Sequence, residues 1–107
     1  MTIELMSMER SQALLSEKQF EAVAKALADP RRMAILESIG GERECPCQHL
    51  VGRFKVSKGT ISHHMKELSQ AGLITIRKEG TYVFYELRRE VLAAYTAELL
   101  RRVARTG

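Results

Sequence analysis

The sequence predicts a mainly α-helical domain with one small antiparallel β-hairpin, in the order α-α-α-α-β-β-α. Three observations carry this reading. Apolar residues recur at helical spacing from Ser16 to Ala71, the period drops to two after Gly72 through LITIRK and TYVFYEL, and helical spacing returns from Arg89. A chain of 107 residues has the size of one domain, so 1–107 is read as a single unit whose elements share one core.

Residues 1–15 form an amino-terminal arm. Ile3, Leu5, Met6, Met8, Leu14 and Leu15 lack clean periodicity there, which leaves a docking helix and a frayed tail both open. Ser16 followed by Gln19 fits a capping box, and Phe20, Val23, Ala24 and Leu27 then repeat at i, i+3, i+4, i+7, predicting a helix over about 17–28. Asp29-Pro30 supplies an N-cap and a first-turn proline whose missing N–H costs nothing at that position. Ile35, Leu36 and Ile39 are the buried stripe of this second helix, and Gly40-Gly41 stops it. In CPCQHLVGRF, Cys45 or Pro46 can open a third short helix with Leu50, Val51 and Phe54 inward. The span KVS is long enough only for a turn, and Ser57 caps a fourth helix running to about Ala71, with Gly72 as its left-handed C′ residue. Residues 46–71 therefore read as a helix-turn-helix, and 73–87 as a hairpin whose Glu79-Gly80 tip has glycine available for positive φ. The last element, 89–105, carries Leu92, Tyr95, Leu99 and Val103 along one side. The whole is a winged helix-turn-helix with an added carboxyl-terminal helix.

Composition narrows the function. With 45% hydrophobic and 28% charged residues the chain is an ordinary globular one, and no apolar run approaches the ~18 residues of a membrane span. MTIELMSMERSQ has no basic region followed by an apolar stretch and a cleavage site, so cytoplasmic residence is expected and a membrane partner is not. The net charge is +4, and it is unevenly placed: residues 1–50 hold six Lys/Arg against eight Asp/Glu, whereas 51–107 hold eleven against five. A basic carboxyl half suits a polyanion, because each neutralised phosphate releases a condensed counterion.

That charge gathers on the fourth helix. At 100° per residue Ile61, Met65 and Leu68 form a core stripe with His64 on its shoulder, while Gly59, Ser62, His63, Lys66 and Gln70 fall on the far side and Lys58 and Thr60 sit in the first turn. From Arg53 to Lys66 there are four basic residues and no acid. A polar outer face on a surface helix is normally only solvated. Here a tight turn precedes it and a basic-tipped hairpin follows, and glycine in a first helical turn costs roughly 0.5–1 kcal/mol against alanine, which a close backbone approach to DNA would explain.

The segments ALADPRRMAIL, HLVGRFKVSKGTISHHMKELSQAGLI and IRKEGTYVFYEL together resemble the ArsR/SmtB family of bacterial winged-helix repressors, over roughly residues 17–88. The resemblance implies a homodimer that binds double-stranded operator DNA as an inverted repeat and releases it on a metal or other signal. By position it places Ser57, Lys58, Gly59, Thr60, Ser62, His63 and Lys66 at bases or nearby phosphates, and Arg77, Lys78 and Thr81 on the wing, with Arg77 and Lys78 meeting phosphate or minor groove. The stripe on 89–105 has no obvious core left to fill, so it either covers its own domain or, as expected here, pairs with a second copy through Leu92, Tyr95 and Leu99; the resemblance implies the same pairing, with the amino-terminal helices contributing.

Cys45 and Cys47 in ECPCQHL resemble the C-x-C sensor motif of the family's soft-metal branch, and thiolates suit soft metals or metalloids. Three departures stand against this. There are two cysteines where such a site wants further thiolates, the pair lies one residue early when aligned on Leu50, and proline separates the two. A direct disulfide would close a very small ring. Thiol sensing of a soft metal or oxidant and cysteines without regulatory duty both stay open, with His49 as a further ligand or a solvated side chain. His63 and His64, about 100° apart on one helix, cannot readily chelate one ion, and residues 89–107 contain no histidine for the family's other metal site. No nucleophile with an acid or base beside it is recognisable, so an enzyme is not expected. The competing readings are a thiol or metal-handling protein using Cys45 and Cys47, and a winged helix that serves protein interaction only.

Overall fold

The computed structural model of the chain describes residues 15–104, and its elements follow from the local signals in turn. Ser16 caps α1 (Glu17–Leu27), its hydroxyl accepting from Gln19 N at 3.0 Å. The reciprocal half of the expected capping box is not made. The Gln19 side chain instead reaches Ala71 O, 3.5 Å away at the far end of another helix. Val23 and Ala26 are the buried residues of α1, and Ala24, expected in the stripe, is exposed. The helix is gripped from two directions, by Tyr95 against Phe20 and by Glu67, Gln70 and Ala71 beside Ala22 and Ala26, and this turns its buried face away from Ala24.

Asp29 caps α2 (Pro30–Gly40), its Oδ1 accepting from Arg31 N at 2.8 Å and Arg32 N at 3.2 Å, and Ile35, Leu36 and Ile39 are buried as their spacing requires. The third helix starts later than the sequence suggests. Cys45–Pro46 is a two-residue strand, β1, and α3 runs Cys47–Phe54 with Pro46 as its N-cap. β1 pairs antiparallel with a wing strand, Cys45 opposite Tyr85, so the expected hairpin is a three-stranded sheet. Proline is tolerated in β1 because this is an edge strand, where its missing N–H breaks no central ladder.

Lys55 takes the left-handed conformation, φ 53°, and turns the chain from α3 into α4 (Lys58–Gln70). Gly72 ends α4 at φ 83°, where a Cβ would stand 2.6 Å from Gln19 Nε2. Strands β2 (Ile74–Glu79) and β3 (Tyr82–Leu87) pair in register, Arg77 opposite Phe84 and Lys78 opposite Val83, around Gly80 at φ 62°. The order across the sheet is β1-β3-β2. Finally α5 (Arg89–Val103) returns across the domain.

Val23, Ile35, Ile39, Leu50, Ile61, Met65, Leu68 and Leu73 are fully buried in one cluster drawn from α1–α4 and the loop entering β2. Each contributes roughly 1.5–3 kcal/mol relative to exposure. Of the stripe expected on α5, Tyr95 belongs to this core, its ring centroid 5.0 Å from that of Phe20, and Leu92 packs partly against it. The first half of the helix therefore covers its own domain, against the expectation that the stripe has no core left to fill. Its distal end differs: Leu99, Leu100 and Val103 are exposed. Glu98, buried at 7% exposure, receives Arg101 and Arg102, while Arg102 also pairs with Glu17 at 2.6 Å and lies 3.9 Å over Phe20, tying α5 to α1. Of the expected arm, residues 1–14 lie outside the described residues, as does Arg105, and Leu15 packs against the core. No helix among the described residues is long and apolar enough to cross a membrane.

Candidate nucleic-acid interface

The polar face of α4 is a consequence of its core face. Burying Ile61, His64, Met65 and Leu68 leaves Lys58, Gly59, Ser62, His63 and Lys66 exposed on the outside. Ser57 and Thr60 hold the first turn, the Ser57 hydroxyl accepting from Thr60 N at 3.1 Å and standing 3.0 Å from Thr60 Oγ1. Their first duty is thus to cap the helix. The turn then carries free N–H groups and the positive end of the helix dipole outward, with Lys58 beside them and no acid in the first turn.

The wing closes one side of this surface. Lys58, Ser62 and Lys66 on α4 and Lys78 on β2 line a single hollow of about 350 Å³, floored by Met65, Ile76, Val83 and Tyr85, and no carboxylate lines it. Thr81 lies in the adjoining hollow of about 330 Å³, where Lys58 also appears, with the exposed Tyr82 beside it at the wing tip. Strand alternation puts the Tyr82 side chain on the same face as Phe84, opposite to that of Lys78 and Val83.

Arg77 behaves differently from the expectation. Strand alternation turns it to the face away from Lys78. There it makes a bidentate pair with Glu44, both contacts 2.8 Å, a 2.6 Å contact with Glu79, and a cation–π contact 4.4 Å over Phe84. These carboxylates hold its guanidinium firmly charged, and the guanidinium in turn keeps the Glu44 carboxyl below its ordinary range. Arg77 thus ties the wing to the loop before α3.

The histidines divide as their angular separation suggests. His63 is exposed, and its ring centroid is 5.6 Å from that of His64. His64 is buried with Nδ1 lacking a hydrogen-bond partner, and burial lowers its pKa against the opposing pull of Asp29. A neutral packing imidazole is the result. At Gly59 a Cβ would find only Ser57 Oγ, 3.8 Å away, so nothing inside the chain demands glycine there.

The two cysteines face different surroundings. Both are buried and free. Cys45 lies beside Glu42 and His49, and burial, reinforced by the Glu42 carboxylate, pushes its thiol up to about 12. Cys47 stands by the Tyr85 hydroxyl, whose pKa is raised by burial and by that neighbouring thiol. The convergent group around Cys45 does not include Cys47, so the C-x-C pair is not matched by a third ligand among the described residues.

A family model described as a helix-turn-helix domain matches residues 27–77. The arsenical resistance operon repressor of Staphylococcus xylosus is 38% identical over 78 residues, covering 73% of this chain and 74% of that one. An ArsR-like transcriptional regulator from Rhodococcus sp. RHA1 superposes with a TM-score of 0.70 at 28% identity, over 81% of this chain and 80% of that chain. The homodimeric winged helix-turn-helix DNA-binding domain Mb0332 from Mycobacterium bovis does so with a TM-score of 0.66 at 28% identity, over 81% and 79%. With sequence and fold agreeing over most of the chain, this protein belongs to the ArsR/SmtB family of winged helix-turn-helix transcriptional regulators.

Proposed function

We propose that the chain is a sequence-specific transcriptional regulator that binds duplex operator DNA as a homodimer in the cytoplasm, repressing until a signal releases it. The observation that carries this is the acid-free groove into which Lys58, Lys66 and Lys78 converge from α4 and the wing. A phosphate backbone lying along it meets three cations, while Ser62 and His63 on the exposed face of α4 are left to read base edges in the major groove. Gly59 and the first-turn N–H groups allow the helix end to approach closely.

One such module covers few base pairs. Two in a twofold assembly combine their binding free energies over half-sites about 34 Å apart. Leu99, exposed with Leu100 and Val103 at the end of α5, is the residue we assign to that interface, and the homodimeric state of the Mycobacterium bovis relative supports it. Tyr95 and Leu92 support the interface from beneath. A thiol oxidoreductase is disfavoured, because both cysteines are buried away from a substrate and burial beside Glu42 keeps the Cys45 thiol protonated and a poor nucleophile at neutral pH.

The test is fluorescence anisotropy with the tag-free protein on duplexes tiling the DNA upstream of its own coding region, against scrambled duplexes. One site should bind roughly 10³-fold or more tighter than scrambled DNA, with affinity falling steeply as salt rises. His63→Ala should narrow that preference by about 1–3 kcal/mol, and Leu99→Glu should yield a monomer with weakened binding. Equal loss on every sequence after His63→Ala would refute the base-reading role. A wild-type chain that prefers no duplex at low salt would end the proposal.

A further inference from the structure

The hollow that adjoins the lysine groove differs from it in character. It measures about 330 Å³ and lies between α3, the first turn of α4 and the wing tip. Pro46 and Val51 make one apolar wall and Val83 another, and Lys58 is the one charged residue lining it. The neighbouring groove gathers three lysines instead. Three converging cations suit a run of phosphates, whereas a single cation beside apolar walls suits a compact ligand with one negative charge and an apolar body.

Gly52 is a second, independent sign. It stands inside α3, its φ is not positive, and an added Cβ would meet nothing within 4 Å. Glycine is the least favourable helix residue after proline, because it loses the most backbone freedom on folding. Neither a turn nor a close approach within the chain accounts for it at this position. Gly52 does line the hollow, and without a side chain at that wall the space stays open.

The volume limits the ligand. Small-molecule sites run from about 300 to 1,000 Å³, and this one is at the small end, enough for a single ring or a short acyl chain. The apolar body would displace water from Pro46, Val51 and Val83, while a carboxylate would meet the Lys58 ammonium and the Thr81 hydroxyl, which line the same hollow. Lys58 and Val83 also line the groove. An anion that holds Lys58 therefore removes one of the three cations offered to the duplex. Ligand and DNA are set against each other, and each must weaken the other by the same factor.

We propose that this hollow is an effector site for a small apolar monocarboxylate, Lys58 receiving the carboxylate and Gly52 leaving room for the body. Its regulatory consequence rests on the DNA-binding reading; the binding of the ligand does not.

The probes are phenylacetate, its neutral isostere phenylacetamide, and acetate as the salt control, added to the tag-free full chain without DNA. Backbone amide shifts in nitrogen–proton correlation NMR spectra report binding. Phenylacetate should shift Val51, Gly52, Thr81 and Val83 saturably, with a dissociation constant on the order of 1 mM. Phenylacetamide should bind about threefold more weakly, and acetate should not shift these amides. Lys58→Gln should bring phenylacetate down to the affinity of phenylacetamide. Gly52→Leu should abolish the shifts, with a thermal midpoint no lower than the parent's and unchanged operator affinity when no probe is present. At constant ionic strength, phenylacetate at about ten times its dissociation constant should weaken operator binding by the parent about tenfold and leave Gly52→Leu unaffected.

The proposal falls if phenylacetate gives no saturable shifts, if Gly52→Leu binds it like the parent, or if saturating phenylacetate leaves operator affinity unchanged. Loss of operator affinity in Gly52→Leu with no probe present would overturn it too, by showing that the duplex itself fills the hollow. A parent chain that binds the probe yet prefers no duplex would uphold the site and refute the DNA-binding reading.

Discussion

Replacing Gly59 by alanine separates the demands of the fold from those of the duplex. Gly59 is the second residue of α4, its φ is not positive, and a Cβ added there would meet only Ser57 Oγ at 3.8 Å, an ordinary contact. No clash opposes the substitution. Alanine gains about 0.5–1 kcal/mol over glycine in a helix interior, and the lower figure applies in a first turn. For a domain of this size about 0.5 kcal/mol raises the thermal midpoint by roughly 2–4 °C. If the first turn enters the major groove, the same methyl holds the backbone off the DNA and operator affinity falls by about 1 kcal/mol or more, roughly fivefold. Thermal unfolding by circular dichroism and operator binding by anisotropy, in one buffer, read the two effects. A more stable variant with unchanged affinity would show that this turn does not approach the duplex. A less stable one would overturn the account of why the fold has no need of glycine here.

Lys78→Ala should weaken binding to all duplexes alike and reduce the slope of log K against log salt by about 0.9, one phosphate contact; Arg77→Ala should lower the thermal midpoint and leave that slope unchanged, since its guanidinium is already held by Glu44 and Glu79. Gly72→Ala should destabilise the fold by about 1–2 kcal/mol for the left-handed backbone alone, with further loss where the new Cβ meets Gln19, read as a lower urea midpoint at unchanged m-value. Glu98 is kept ionised by Arg101 and Arg102, which bring its pKa from 4.5 to about 2. A depressed carboxylate pKa means its contribution is complete above about pH 4.5 and disappears as pH falls through about 2. Glu98→Gln should therefore flatten the acid side of the stability–pH curve across that window, and an unchanged curve would show that the pair is solvated rather than structural.

The helix boundaries were legible because their signals are local. Ser16, Asp29 and Ser57 cap within three residues of themselves, Gly72 and Gly80 sit where positive φ is needed, and the stripes of α2 and α4 bury the residues their spacing names. The exposed face of α4, with His63 outward and His64 inward, followed from the same 100° rotation. What escaped the sequence depends on partners far along the chain. Cys45 becomes a strand because Tyr85 offers it a free edge, Ala26 replaces Ala24 in the core because Tyr95 and α4 grip α1 together, and Arg77 leaves the wing's charged face for Glu44, 33 residues away. Cys45 and Cys47, adjacent in pattern, part in space because one ends a strand and the other begins a helix, so Cys45 joins Glu42 and His49 while Cys47 joins Tyr85. Periodicity and capping act over one or two helical turns and can be read from neighbours. Ion pairs, strand edges and ligand clusters require distant segments to be brought to one place, and only the packed core does that.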